Sequence, residues 1–265
     1  MLYTSNTFVE YNYPLAEADA VFLGIPFVST SISRPARFGP VIVREALKLM
    51  SGSHNGRDIF SHYKFCDLGD LDVVEGSYEK TAERIRDTVA EIQNAKVFPV
   101  FIGGEHSITL PIAEALKAKT IIQFDSHGDM LSHYKGNEFS HGTWAFHASR
   151  NAKLVQIGVR VLEEEERKNA ESGSVLDVKT PEQLSQAKIE RPVHLTVDMD
   201  VFNPAYVETG FPEGKMEPKE FFEFLKHINP DSMDIVEIAD DRLTSKSGWL
   251  AAEIIKNVLG RKFMS

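Results

Sequence analysis

The chain has 265 residues, of which 42% are hydrophobic and 26% are charged, and its formal net charge is −10. This composition is typical of a globular protein and excludes a disordered, collagen-like or low-complexity chain. No apolar stretch reaches the roughly 18 residues of a transmembrane helix, and an acidic chain repels phosphate backbones, so neither a membrane nor nucleic acid is an expected partner.

The sequence indicates a reducing, cytoplasmic location. Residues 1–15 have no basic start followed by an apolar block, so they do not predict a secretory signal. Cys66 is the single cysteine of the sequence, so no disulfide can form within the chain.

Eight short apolar runs predict strands. Most are apolar throughout instead of alternating, which is typical of strands covered on both faces in a parallel sheet. In chain order the predicted strands are Ala20–Ile25, Tyr63–Leu68, Val97–Ile102, Thr120–Phe124, Leu154–Val159, Ser174–Leu176, Val193–Val197 and Met233–Ile238.

Segments of helical period lie between these strands. The predicted helices are Val41–Leu49, a stripe from Tyr78 to Ile92, His106–Ala118, Lys219–Ile228 and a stripe from Ala251 to Leu259. The run Glu163–Glu166 predicts a solvated helix start, where negative charge is favourable. Because no linker interrupts the alternation, it predicts one domain over residues 1–265, with an α/β fold in three α/β/α layers and a mostly parallel sheet of about eight strands.

Polar residues follow several of the predicted strands, at the edge where open α/β sheets bind ligands. The segment TIIQFDSHGDM places Asp125, His127 and Asp129 at alternate positions after one strand, and alternate residues point the same way. The segment VHLTVDMD places Asp198 and Asp200 after another strand.

Two further strand ends carry polar groups. His106 follows a pair of glycines, which we expect to let the backbone turn sharply at a helix start. Glu237 lies near the end of the last predicted strand. A lone Asp or His in such a place is commonly a turn residue, a helix cap or a core side chain.

The combination of these groups predicts a metal site. Clustered carboxylates repel one another unless a cation neutralises them. Four carboxylates and two imidazoles without a cysteine favour Mn²⁺, with Mg²⁺, Fe²⁺ or Co²⁺ as alternatives. Six ligands are too many for one ion that keeps room for water, so we expect two ions that share carboxylates and serve hydrolysis.

Three segments resemble the metal-binding motifs of the ureohydrolase family, which includes arginase, agmatinase and formimidoylglutamase. They are GGEHS at 103–107, DSHGD at 125–129 and DMDVFNP at 198–204, and they occur in the family order. Three other segments resemble family segments outside the metal motifs, so the resemblance extends over nearly the whole chain. These segments are RFGPVIVREA at 37–46, DLGDLD at 67–72 and TGFPEGK at 209–215.

The resemblance implies an arginase-like fold with two Mn²⁺ ions per subunit, each held by four side chains, two of which are shared. The implied ligands are His106, Asp125, Asp129 and Asp198 for one ion, and Asp125, His127, Asp198 and Asp200 for the other. A hydroxide between the ions would attack a guanidinium carbon, giving a tetrahedral intermediate that collapses to urea and an amine. Glu237 is implied to bind the guanidinium, and His141 to transfer protons.

The segment FSHGTWAF at 139–146 is most similar to agmatinase, which implies hydrolysis of agmatine to putrescine and urea, a step of polyamine biosynthesis. Arginase, a guanidino-acid hydrolase and formimidoylglutamase stay as alternatives, because Arg160 suits a substrate carboxylate whereas Glu163 suits an ammonium tail. A more remote alternative is a metal-binding member without turnover. The resemblance also implies a homo-oligomer, either a trimer or a hexamer.

Two departures from the family pattern are informative. Ser126 replaces the usual alanine between two predicted ligands, and we expect this change to be harmless. Asp240 stands where the family generally has proline, three residues after Glu237. The two extra acids close to Glu237 in EIADDR, Asp240 and Asp241, are expected to alter substrate choice or to make the pocket of Glu237 more electronegative.

Overall fold

The computed structural model describes residues 4–5, 12–30 and 36–264. The strands in this part of the chain are β1 (Thr4–Ser5), β2 (Ala20–Ile25), β3 (Ser53–His54), β4 (Arg57–Asp58), β5 (Phe65–Leu71), β6 (Phe98–Gly103), β7 (Thr120–Phe124), β8 (Lys153–Ile157), β9 (Val175–Val178), β10 (Val193–Asp198) and β11 (Ser232–Val236). The α-helices are α1 (Gly39–Leu49), α2 (Ile59–His62), α3 (Tyr78–Ala95), α4 (Thr109–Leu116), α5 (Trp144–Ala148), α6 (Glu164–Ser172), α7 (Pro181–Gln186), α8 (Pro218–Leu225) and α9 (Lys246–Met264).

One twisted sheet forms the centre of the fold, with the strand order β1-β5-β2-β6-β11-β10-β7-β8-β9. The eight strands from β5 to β9 in this order are parallel to their neighbours, and β1 pairs antiparallel with β5 at the edge. The predicted fold class, a three-layer α/β/α fold with a mostly parallel sheet of about eight strands, is confirmed.

Both faces of the sheet are covered, which explains why its strands are apolar throughout. Phe22 of β2 packs into a core shared with α1, α8 and α9, whereas its neighbour Leu23 packs into a core shared with α3 and α4. Both side chains are fully buried. Alternate residues of each central strand therefore meet different helix layers.

The predicted strands differ from the observed ones mainly at their ends. The strand predicted from Tyr63 begins at Phe65, because Tyr63 ends the short helix α2 and its N–H donates to the carbonyl of Ile59. The strand predicted to reach Val159 ends at Ile157, since the following residue, Gly158, has a φ of 97°.

The predicted helices also differ locally. The helix predicted over His106–Ala118 divides into a 3-10 turn at His106–Ile108 followed by α4. The prediction that Glu163–Glu166 is a solvated helix start is wrong for Glu166. That side chain is buried and accepts hydrogen bonds from the backbone N–H groups of Glu163 and Met130, so it ties α6 to the loop after β7.

No helix in the described residues is long and apolar enough to cross a membrane. The expectation about residues 1–15 falls largely outside the described part of the chain.

Candidate metal centre

The strand order brings the four predicted polar strand ends to one place. Strands β6, β11, β10 and β7 are consecutive in the sheet and parallel, so their carboxyl ends lie side by side. These are the strands after which His106, Glu237, Asp200 and Asp125 follow. The sheet topology therefore gathers residues that are up to 131 positions apart in sequence.

His106 lies at the centre of the first half of the cluster. Its Nδ1 atom lies 3.1 Å from Asp125 Oδ2, 3.3 Å from Asp129 Oδ2 and 3.1 Å from Asp198 Oδ2. All four side chains are buried. One ring nitrogen and three carboxylates thus face a single point.

His127 organises the second half. Its Nδ1 atom lies 2.8 Å from Asp200 Oδ2 and 3.6 Å from Asp125 Oδ1. Asp125 contacts both imidazoles through different oxygens and therefore joins the two halves. The structure brings all six residues predicted as metal ligands into this one cluster.

Neighbouring donors fix the orientation of the carboxylates. The indole N–H of Trp144 donates to Asp129 Oδ2 over 2.7 Å. The backbone N–H and the hydroxyl of Ser126 both donate to Asp200 Oδ1, over 3.0 and 2.9 Å. Sequence reasoning missed the role of Trp144, because an indole on a short helix resembles an ordinary core residue.

Burial and neighbouring charge shift the pKa values of the cluster residues. Burial and the charge of Asp125 raise the pKa of Asp129 to about 7. Burial and the charge of Asp200 raise the pKa of Asp198 well above its usual range. Burial opposes protonation of His106, but its hydrogen bonds to the surrounding carboxylates outweigh burial and raise its pKa well above the usual range.

The donor set fits a divalent cation. Two groups of three donors have ligand atoms within 4.8 Å of one another, and both groups include Asp125. The groups are His106, Asp125 and Asp129, and Asp125, His127 and Asp200. Among the described residues, no lysine or arginine forms an ion pair with these carboxylates. Positive charge from outside the chain would replace the retained protons.

Two of the predicted functional residues have a left-handed backbone. The φ angle is 54° at Asp129 and 61° at Glu237. This region is uncommon for residues other than glycine, and such residues concentrate at functional sites. In both cases the conformation turns the chain directly after a strand or its extension and directs a carboxylate toward the cluster.

Glu237 is anchored to the segment that carries His106. Its Oε1 atom accepts a hydrogen bond from the backbone N–H of His106 over 2.9 Å, and its own N–H donates to the carbonyl of Gly104. Burial and the charge of Glu105 raise the pKa of Glu237 to about 8. Glu237 therefore lies beside the cluster of histidines and aspartates, and its raised pKa favours the protonated form at neutral pH.

The chain bends at Gly104 and Glu105, as predicted, and the glycine pair before His106 also has a second function. Neither Gly103 nor Gly104 has a positive φ. A Cβ atom at Gly104 would lie 2.2 Å from the carbonyl oxygen of Phe27, and one at Gly103 would lie 2.6 Å from a methyl group of Val236. The pair is needed because the backbone passes close to its neighbours at this point.

His141 lies on the wall of the same cavity. Its Nδ1 atom lies 2.9 Å from the hydroxyl oxygen of Thr30, and that hydroxyl donates to Glu105 over 3.2 Å. Burial lowers the pKa of His141. The two other histidines near it in sequence, His133 and His147, do not line the cavity. The contact with Thr30 could not be foreseen, because 111 positions separate the two residues.

The cavity above the cluster has a volume of about 300 Å³. Its walls include Tyr134, Phe211, Glu163 and Glu213, and no lysine or arginine is among its lining residues in the described part of the chain. Glu213 also accepts a hydrogen bond from His127 Nε2 over 2.8 Å. The cavity is therefore acidic and partly aromatic.

Two residues considered for substrate choice lie elsewhere. Arg160 is exposed and does not line the cavity. Asp240 is buried outside the cavity, where it accepts hydrogen bonds from Arg242 and Ser247. The expected effect of Asp240 on the pocket of Glu237 has no support in these contacts, because the charge of Asp240 is paired with Arg242.

The three-layer α/β/α fold places a buried cluster of histidines and aspartates, which is a candidate metal site, at the carboxyl ends of its parallel strands. The model of the arginase family matches residues 18–260, so the chain belongs to the arginase family. Within this family, the comparisons support a hydrolase that acts on guanidino compounds.

Two relatives and one solved structure match nearly the whole of this chain. The chain is 32% identical to an N(1)-aminopropylagmatine ureohydrolase of Thermococcus kodakarensis, over 98% of this chain and 96% of that protein. It is also 32% identical to an agmatinase of Pyrococcus horikoshii, over 98% of each protein. The fold matches an agmatine ureohydrolase of Thermoplasma volcanium with a TM-score of 0.84 at 24% identity, over 99% of this chain and 94% of that one.

Proposed function

We propose that the chain is a binuclear manganese amidinohydrolase that acts on agmatine or on a related guanidino compound with a positively charged tail. The observation that carries the proposal is the meeting of six metal donors, Glu237 and His141 around one acidic cavity. The products would be urea and an amine, which is putrescine when agmatine is the substrate.

The cluster suits Mn²⁺ because its donors are four carboxylates and two imidazoles. When bound, a pair of such ions would supply an activated water molecule for attack on the guanidinium carbon. Asp125 is the natural shared ligand, since its two oxygens face different imidazoles.

Glu237 is suited to bind the guanidinium group. A planar guanidinium cation forms strong hydrogen bonds with a carboxylate. The hydrogen bond from the N–H of His106 holds one oxygen of Glu237 beside the metal cluster. A bound guanidinium would favour the ionised form of Glu237 and would so lower its raised pKa.

His141 is suited to carry the proton to the leaving amine. The Thr30 hydroxyl donates its hydrogen to Glu105, so its oxygen accepts the hydrogen on His141 Nδ1. His141 Nε2 is then the nitrogen that takes up and releases a proton. Burial lowers the pKa of His141, which favours the neutral imidazole, the form that can accept a proton.

The cavity walls favour a cationic tail over a carboxylate tail. Glu163 and Glu213 provide negative charge, and the faces of Tyr134 and Phe211 attract cations. A substrate carboxylate would meet like charge and, among the described lining residues, no basic side chain. The names of the relatives from Thermococcus kodakarensis and Pyrococcus horikoshii point to the same substrate class.

A panel of substrates tests the proposal. Product release is measured with Mn²⁺ for agmatine, N(1)-aminopropylagmatine, arginine, 4-guanidinobutyrate and formimidoylglutamate. We expect the first two to exceed the others in kcat/KM by about tenfold or more, which corresponds to roughly 1.4 kcal/mol of discrimination. A preference for a carboxylate-bearing compound would favour the arginase, guanidino-acid or formimidoylglutamate alternative, and turnover of none would overturn the proposal.

Three variants complete the panel. Glu163→Gln should raise KM for the preferred cationic substrate more than it lowers kcat, because it removes charge from the wall and leaves the cluster intact. Glu165→Gln is its matched control, since Glu165 lies on the same helix turn and bonds Ser132 instead of lining the cavity.

Asp200→Asn should abolish turnover, and an effect on metal occupancy alone would favour a metal-binding protein without activity.

A further inference from the structure

A chain of buried hydrogen bonds leads from the metal cluster into the core, away from the cavity. His106 Nε2 lies 2.9 Å from the Thr196 hydroxyl, and this hydroxyl donates to Asp234 Oδ1. On the far side, His194 Nε2 lies 2.9 Å from Asp234 Oδ2, and His194 Nδ1 lies 2.8 Å from the hydroxyl of Ser232. All five side chains are buried.

The register of the sheet fixes this chain. Thr196 of β10 is the direct partner of Asp234 of β11, and His194 is the direct partner of Ser232. Within the described residues, no lysine or arginine forms an ion pair with Asp234, and His194 Nε2 lies 2.9 Å from its Oδ2. A buried carboxylate without a neighbouring lysine or arginine lowers the stability of the fold unless hydrogen-bond donors satisfy its oxygens.

The hydrogen bonds have one possible direction. A carboxylate accepts hydrogens, so the Thr196 hydroxyl uses its single hydrogen for Asp234. The Thr196 oxygen can then only accept from His106, which places a hydrogen on His106 Nε2. A metal ion needs the lone pair of one ring nitrogen, and the other ring nitrogen must then keep a hydrogen and find an acceptor. His106 Nδ1, which faces Asp125 and Asp198, is left as the coordinating atom.

We propose that Asp234 is a positioning residue which, through Thr196, orders the proton on His106 Nε2 and so sets the affinity of the centre for its metal. Asp234 does not line the cavity and touches no substrate. The inference rests on the proposed function, because it assumes that His106 is a metal ligand.

Thr196→Val tests the link most directly. It removes the hydroxyl between His106 and Asp234 with little change in shape, and it leaves the contact between Asp234 and His194 in place. Thr196→Ser keeps the hydroxyl and should rescue the effect. Thr109→Val is the matched control, since the Thr109 hydroxyl lies in the same part of the core, 2.8 Å from Asp234 Oδ2 and 3.4 Å from the Thr196 hydroxyl, but is not the hydroxyl that faces His106 Nε2.

The readout is the Mn²⁺ affinity of the metal-free protein, measured by competition with a chelating dye. We expect Thr196→Val to weaken Mn²⁺ binding about 10- to 100-fold, with Thr196→Ser and Thr109→Val within about threefold of wild type. At saturating Mn²⁺ the kcat of Thr196→Val should recover in large part. Asp234→Asn should weaken binding in the same direction if it folds.

Two results would overturn the inference. If folded Thr196→Val binds Mn²⁺ as tightly as wild type, the hydrogen-bond chain has no effect on the metal. The same conclusion follows if Thr109→Val weakens binding as much as Thr196→Val does, because the effect is then general to the core. Failure of the proposed function has a different signature, since the wild-type chain itself would then bind no Mn²⁺ or hydrolyse no guanidino compound.

Discussion

The same sheet carries two clusters of buried acids that are neutralised in different ways. On β5, Asp67 binds Arg44 of α1 through both oxygens, at 2.9 and 3.0 Å, and Asp70 binds the same guanidinium. In the metal cluster, four aspartates surround imidazoles only, within the part of the chain that the structure describes. The first cluster contains its own permanent cation, whereas the second would, under the proposed function, be neutralised by cations taken from solution.

The segments that resemble the arginase family fall into two groups, one that stabilises the fold and one that forms the candidate metal site. Arg44 belongs to the segment RFGPVIVREA, and Asp67 and Asp70 belong to DLGDLD. These two segments are distant in sequence and meet as one buried ion pair network that joins α1 to the sheet. They support the fold, whereas the GGEHS, DSHGD and DMDVFNP segments build the metal cluster.

The largest expected effect is the loss of the internal cation. Arg44→Met should lower the free energy of unfolding by about 3–5 kcal/mol, because it removes the cation that faces the buried Asp67 and the partly buried Asp70. Urea denaturation of the metal-free protein measures this loss. Lys48→Met is the control on the same helix, since the exposed pair of Lys48 with Glu45 contributes about 1 kcal/mol or less.

Asp198→Asn is the matching change in the metal cluster. It removes one of several repelling charges, so the metal-free variant should be at least as stable as wild type. A loss comparable to that of Arg44→Met would contradict the distinction between the two clusters.

The next effect is a pH dependence that Mn²⁺ should remove. Burial, with neighbouring negative charge, raises the pKa of Asp129 to about 7 and that of Glu237 to about 8. Between about pH 5 and pH 8 the folded metal-free chain therefore holds protons that the unfolded chain has released, so its free energy of unfolding falls as the pH rises. The raised pKa of His106 acts in the same direction.

Thermal denaturation at several pH values, with a chelator or with Mn²⁺, measures this effect. Mn²⁺ at 100 times its Kd should add about 2.7 kcal/mol of stability and should bind more tightly at higher pH, because it displaces protons. A metal-free chain that becomes more stable between pH 5 and pH 8 would show that the cluster does not retain protons.

The smallest expected effect concerns Ser126, which replaces the usual alanine. Ser126→Ala removes the hydroxyl that donates to Asp200, but the backbone N–H of the same residue still donates to the same oxygen. We expect a change of about 1 kcal/mol or less in stability and a Mn²⁺ affinity within about fivefold of wild type. A larger loss of affinity would show that the hydroxyl, and not the backbone, orients Asp200.

The sequence predicted the central strands well because burial on both faces leaves a strong apolar signal. It missed the elements that depend on tertiary contacts, such as the pair β3 and β4, the one-turn helix α2 and the short helix α5. These segments are too short to have a period of their own, and their neighbours in space decide their conformation.

The candidate site was predictable where sequence order and sheet topology agree. The six donors lie at the carboxyl ends of β6, β7 and β10, which end at the same edge of one parallel sheet, so their convergence could be expected before the structure. The residues behind the metal cluster were harder to predict from the sequence, although the pattern of β10 gives one indication of them. His194 and Thr196 alternate with apolar residues in a buried strand and point to the same face, which marks a polar path inside the core. Asp234 is the residue that His194 and Thr196 contact. This contact depends on the register between β10 and β11 and could not be derived from one segment alone.

The left-handed backbone at Asp129 and Glu237 has a consequence for the evolution and the engineering of this chain. Each such residue costs about 1–3 kcal/mol relative to a relaxed conformation, and glycine would relieve much of it. A redesign guided by backbone preference alone would therefore place glycine at both positions. It would remove Asp129, a proposed metal ligand, and Glu237, the proposed partner of the guanidinium group. In a lineage no longer selected for turnover, replacing Asp129 or Glu237 by glycine would remove a proposed functional side chain and would raise the free energy of unfolding.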